Sequence, residues 1–88
     1  MKLNPLPLDE VRRIAEDVAT SCDPDLRVVG VLRPEGASAY AEVMVVDGRR
    51  QVYPSRLMIG IDRSTSAPAC RATIEDRFRR HVAHRSTD

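Results

Sequence analysis

The apolar residues of this chain change period twice: they recur at spacings of three and four near the N-terminus, at two through the middle, and at three and four again toward the C-terminus. A helix buries one stripe of period 3.6 and a strand buries one face of period two, so the switch sets the order of elements before any other feature is read. Leu8, Val11, Ile14, Ala15, Val18 and Cys22 form the first stripe, opposite Arg12, Arg13, Glu16 and Asp17. Pro7 suits a first helical turn and sets Asp9 and Glu10 where the helix dipole favours negative charge, so the pattern predicts a helix from Pro7 or Leu8. Asp23-Pro24-Asp25 ends it. Arg12–Glu16 and Arg13–Asp17 are i,i+4 pairs, which reads as a solvated face.

Leu26 to Arg33 is rich in Val and Leu and runs into Arg33-Pro34-Glu35-Gly36, a strand followed by a turn signal. Ser38 to Val46 predicts a second strand, and Asp47-Gly48 after it carries a strong hairpin signal. A two-residue turn there would set Val43 opposite Val52 and Glu42 opposite Tyr53, with Pro54 breaking the pairing. Leu57, Ile59 and Ile61 then alternate with Met58 and Gly60, so pairing is expected to resume and to run to about Asp62. Ser66 or Ala67, with Pro68 behind, starts a second helix expected to reach Ala83. Its stripe is Ala67, Cys70, Ile74, Phe78 and Val82, and Glu75–Arg79 and Asp76–Arg80 are again i,i+4 pairs.

The expected fold is therefore α+β, in the order α-β-β-β-α, with a three-stranded antiparallel sheet and two helices packed on one of its faces. A chain of 88 residues makes one domain, residues 1–88, with 1–6 and 84–88 expected to fray. No apolar run follows Lys2 as in a secretory signal, and no stretch approaches the length of a membrane span, so a soluble, cytoplasmic protein is expected. Cys22 and Cys70 fall on the helical stripes and read as reduced, buried thiols. Arginine supplies thirteen of the fourteen basic residues, Lys2 being the other. GC-rich codon usage produces such a bias, which suggests a bacterial or phage origin.

A sheet with helices on one face should alternate apolar and polar residues, because its other face meets water. These strands do not. Val28 and Leu32 oppose Val29 and Val31, Val43 and Val45 oppose Tyr40, Met44 and Val46, and the third strand adds Tyr53 and Met58. Two helices cover one face of such a sheet, so the second is expected to meet a partner, either another copy in a homodimer or a different protein. Tyr40, Met44, Val46 and Tyr53 are the expected partner-binding residues.

No motif carries catalytic chemistry, and the expected class is a non-catalytic binding module: an adaptor, inhibitor or regulatory subunit. Cys70 and His81 are eleven residues apart on one predicted helix, about 16 Å, too far for a nucleophile and its base. Gly30, Gly36, Gly48 and Gly60 are dispersed and form no phosphate loop. His81 and His84 lie at i,i+3, but with the cysteines they match no zinc-ligand spacing, so neither a metal nor another cofactor is expected, nor a small-molecule substrate.

The rival class is nucleic-acid binding. Residues 1–48 carry five basic and nine acidic groups and residues 49–88 nine and four, so the C-terminal half is the cationic one. Arg71, Arg77, Arg79 and Arg80 lie on the second helix, Arg49 and Arg50 follow the Asp47-Gly48 turn, and Arg56 and Arg63 give a third basic point. With the α-β-β-β-α order, this resembles double-stranded-RNA-binding domains, and the resemblance implies phosphate contacts by Arg49, Arg50, Arg71, Arg79 and Arg80. Those domains cluster lysines at the start of the last helix, where this chain reads Ala67-Pro68-Ala69-Cys70-Arg71 with a single base. Six acidic residues on the two helices and only three aromatics further favour protein over nucleic acid as partner.

Overall fold

A computed structural model describes residues 5–33, 35–36, 39–48 and 56–85, apart from the side chains of residues 84 and 85. The element order is α1 (Leu8–Cys22), β1 (Leu26–Leu32), β2 (Tyr40–Asp47), β3 (Arg56–Asp62) and α2 (Ala67–Arg85). The strands form an antiparallel meander in the order β1-β2-β3, and the fold is α+β.

Both helices begin for local reasons, and α1 ends for one. The Pro7 carbonyl accepts from the Glu10 and Val11 amides, each at 3.1 Å, and Asp9 and Glu10 occupy the first turn of α1. Asp23 is extended and Pro24 cannot continue the helix, while the Asp23 carboxylate accepts from the Asp25 amide at 2.8 Å and turns the chain into β1. Ser66 caps α2, its hydroxyl accepting from the Ala69 amide at 3.3 Å. The connection before it is closed by Asp62, which accepts from the Ser64 amide and hydroxyl.

The core lies between the helices and one face of the sheet. Val11, Ala15, Val18 and Ala19 of α1 meet Leu26, Ala41, Val43, Val45, Ile59 and Ile61 of the strands, and Cys70, Ile74 and Phe78 of α2. α1 lies mainly over β1, α2 over β3, and the helices pack on each other. Leu6, which the sequence places with an end expected to fray, packs against this core. Its amide donates to the Arg63 carbonyl at 2.8 Å, and Arg63 Nη1 donates back to its carbonyl at 2.7 Å.

Two sequence expectations about the strands are corrected. Val43 pairs with Ile59 and Glu42 with Gly60, not with Val52 and Tyr53, and β2 closes on β3 through residues beyond a two-residue turn. Asp47 is instead the last residue of β2, and its side chain is 1% exposed beneath α2, where Oδ2 lies 2.8 Å from His81 Nε2. The Gly48 amide donates to the Asp25 carbonyl at 2.7 Å, and Gly48 does not adopt the positive φ that a hairpin glycine supplies. Pairing Leu57, Ile59 and Ile61 against Val45, Val43 and Ala41 buries six apolar side chains, which outweighs a local turn preference.

The second correction concerns β1, whose register shifts by one residue between Val28 and Gly30. This bulge brings Val31 round to the same core face as Val28, leaving Val29 50% exposed. The apparent two-sided apolar pattern of β1 is in part an alternation with one extra residue.

Candidate functional site

The sheet face away from the helices is assembled in rows by the strand register. Residues directly opposite on neighbouring strands share a face, so four cross-strand rows follow along β2. Arg27, Val46 and Arg56 form the first, Gly30, Met44 and Met58 the second, Leu32, Glu42 and Gly60 the third, and Tyr40 and Asp62 the last. Tyr40, Met44 and Val46 thus stand together on the open face. Tyr53 lies outside the described residues.

The face is apolar through its centre and charged at its ends. Leu32 is 51% exposed, Met58 41% and Tyr40 40%, with Met44 and Val46 half-buried between them. Gly60 has a local reason: a Cβ there would overlap the Tyr40 hydroxyl and lie 2.8 Å from its Cζ. The Tyr40 ring therefore lies diagonally over the glycine and flattens its corner of the face. Arg27 and Arg56 mark one end of the sheet and Glu42 and Asp62 the other. Hydrogen bonds from Ser64 hold the Asp62 carboxyl below its ordinary range, which keeps it ionised.

The sheet edges are less available than the face. The bulge at Val29 interrupts the β1 edge, and Arg77 Nη2 reaches from α2 to donate to the Met58 carbonyl of β3 at 3.3 Å. An added strand would compete with both features.

The sequence expectation for nucleic acid rests on arginines that the structure places in different settings. Arg71 bridges the helices, pairing with Asp17 of α1 and with Glu75 at 3.2 Å, and these partners push its pKa upward. The expected Arg13–Asp17 pair gives way to this longer-range contact, whereas Arg12–Glu16 forms at 3.8 Å. Arg79 pairs with Glu75 at 3.5 Å and Arg80 with Asp76 at 3.0 Å. Arg63 is 6% exposed and spends its guanidinium on the Leu6 carbonyl, so it is not a surface base. Arg49 and Arg50 lie outside the described residues.

Among the described residues, no group of three His, Cys, Asp or Glu side chains is arranged to hold a metal ion. Nor is any helix among them long and apolar enough to cross a membrane. A cleft of about 440 Å³ opens between the helices, lined by Val18, Ser21, Cys22, Glu75, Arg79, Val82 and Ala83. Both cysteines are free thiols; Cys70 is 1% exposed and burial pushes its pKa up, while Cys22 is only partly covered.

Sequence reasoning located Tyr40, Met44 and Val46 but not their charged neighbours. Arg27, Glu42, Arg56 and Asp62 each alternate with core residues, the signal of the open face, yet only the register shows that the cations share one end and the anions the other. His81 was also missed as a core residue, although its spacing of seven from Ile74 and three from Phe78 puts it on the buried stripe of α2. Comparison with protein-family models, curated proteins and solved structures finds no match for this chain.

Proposed function

We propose that this protein is a non-catalytic binding module that docks a protein partner on the open face of its sheet. The observation that carries the reading is the band of Leu32, Tyr40, Met44, Val46 and Met58 on a face that neither helix among the described residues covers, both being used on the other. Methionines at its centre suit such a surface, since their unbranched side chains adapt to a partner. The ion pairs of Arg71, Arg79 and Arg80 with Asp17, Glu75 and Asp76 favour a protein partner over nucleic acid, because binding phosphate there means giving up carboxylates already in place.

Met44→Asp tests the reading, since its side chain lies on the open face and not in the core. The variant is expected to unfold at the same urea concentration as the wild type and to lose association, whether with itself or with a companion that copurifies with the chain. Association that survives Met44→Asp would refute it.

A further inference from the structure

We infer that the partner on this face is a second copy of the chain, its sheet turned end for end across a two-fold axis that runs perpendicular to the strands near Met44 and Met58. This rests on the open-face reading and adds the identity and orientation of the occupant. The argument is charge complementarity. The row at one end of the face is Arg27, Val46 and Arg56, while the other end carries Glu42 and Asp62, with Gly30, Met44 and Met58 between them. Among the described residues Arg27, Arg56 and Glu42 are in no ion pair, unlike Arg71, Arg79 and Arg80 on α2.

From Val46 to Tyr40 the strand advances about 20 Å. That exceeds the screening length of about 8 Å at physiological salt, so the two ends do not neutralise each other within one copy. Stacked sheets keep their strands within about 30° of parallel or antiparallel. A two-fold axis along the strands would set Arg27 and Arg56 against their own counterparts. An axis across the strands at the Met44 row sets the row of Arg27, Val46 and Arg56 over that of Leu32, Glu42 and Gly60 at both ends, with Asp62 one row beyond, and brings the methionines together in the middle. Of the aligned face-to-face pairings, charge selects this one.

The area sets the strength. Three strands of about seven residues span roughly 14 by 24 Å, and side-chain relief brings the surface covered to about 500 Å² per copy. The total of about 1,000 Å² sits at the lower limit for a specific interface, so the dimer is weak and reversible, with a Kd in the micromolar range or above.

The experiment is sedimentation equilibrium from about 10 μM to about 1 mM chain, in low and high salt, on the wild type, Arg27→Glu/Arg56→Glu, Glu42→Arg and Met44→Asp, each first matched to the wild type in urea unfolding. Asp62 is left intact because it holds the turn before α2. The wild type is expected to dimerise with a Kd that weakens several-fold in high salt, and Met44→Asp to weaken it at least tenfold. Arg27→Glu/Arg56→Glu carries anions at both ends and should be monomeric, yet mixing it with Glu42→Arg should restore association, because cations and anions then meet across the two variants. A wild type that remains monomeric at the top concentration overturns the dimer and leaves the open face to a foreign partner. A dimer that ignores the charge variants overturns the orientation. One that ignores Met44→Asp overturns the open-face reading with it.

Discussion

The contact between Asp47 and His81 offers the sharpest test of how this small core is held. The two side chains are 1% and 5% exposed, and Oδ2 lies 2.8 Å from Nε2, so neither group reaches water as an alternative partner. Asp47→Ala withdraws the acceptor from a buried imidazole, a loss of about 2–3 kcal/mol when a buried polar group is left without that partner. His81→Ala removes a ring from the base of α2 and opens a void beside Asp47, which costs about 3 kcal/mol. Asp47→Asn keeps an amide oxygen in place to accept from Nε2 and should cost about 1 kcal/mol. In the double alanine variant neither group is left stranded, so that penalty drops out and the pair should couple by about 1–2 kcal/mol.

These are large fractions of the total. A domain of 88 residues is expected to have about 4–13 kcal/mol of stability, and each kcal/mol lost lowers Tm by about 4–8 °C. Urea unfolding at fixed pH, followed by far-ultraviolet circular dichroism, measures all four variants on one scale. With a slope near 1 kcal/mol per molar, the single alanine variants should unfold about 2–3 M earlier than the wild type. Additive losses, with coupling under about 0.3 kcal/mol, would show that the 2.8 Å approach contributes packing alone. A neutral Asp47→Ala would mean that the contact with His81 is not what holds Asp47 at a strand end and out of a turn.

Three further outcomes follow from the same structure. In the native protein a thiol reagent should modify Cys22 and leave Cys70 protected until denaturant is added; and because burial lifts the Cys70 pKa above its unfolded value, the folded state keeps a proton that the unfolded chain gives up, so stability should fall as pH rises above the ordinary thiol range, an effect that Cys70→Ala removes. Arg63→Ala should cost about 2 kcal/mol in urea unfolding because the buried side chain holds the Leu6 carbonyl, whereas Arg79→Ala and Arg80→Ala, exposed partners of single carboxylates, should leave the urea midpoint unchanged; equal effects would contradict the difference in burial. Gly60→Ala should be neutral or destabilising alone because its methyl displaces the Tyr40 ring, and stabilising by about 0.5 kcal/mol in a Tyr40→Ala background, where the loss of backbone freedom is the remaining effect; the same sign in both backgrounds would mean that the ring does not lie on the glycine.

Both helix starts and the end of α1 were legible in the sequence almost to the residue, whereas α2 runs on to Arg85, past the Ala83 expected. Pro7 and Asp23-Pro24 bound α1, and Ser66 with Pro68 opens α2. β3 was legible as the alternation Leu57, Ile59, Ile61, but its register was not, since Asp47-Gly48 offers a hairpin that burial overrides. Local turn preference is worth about a kcal/mol, whereas sliding β3 off its partners would expose Ile59 and Ile61 together. β1 misled for a different reason: an extra residue at Val29 reverses the alternation halfway along, and its local signal is Gly30, a residue type that inside a strand often marks a bulge.

The candidate site was half legible on the same grounds. That a second apolar face exists follows from Tyr40, Met44 and Val46 alternating with Ala41, Val43 and Val45, which is local information. That the face has a cationic end and an anionic end is non-local, because Arg27 joins Arg56 only through Val46, and Glu42 joins Asp62 only once β3 pairs in the observed register. The two-residue hairpin would have set Glu42 beside Tyr53 and scattered the charges. The register that buries Ile59 and Ile61 is therefore the same one that sorts the open face by charge. A change that slips β3, even one confined to the core, should disturb association before it unfolds the chain.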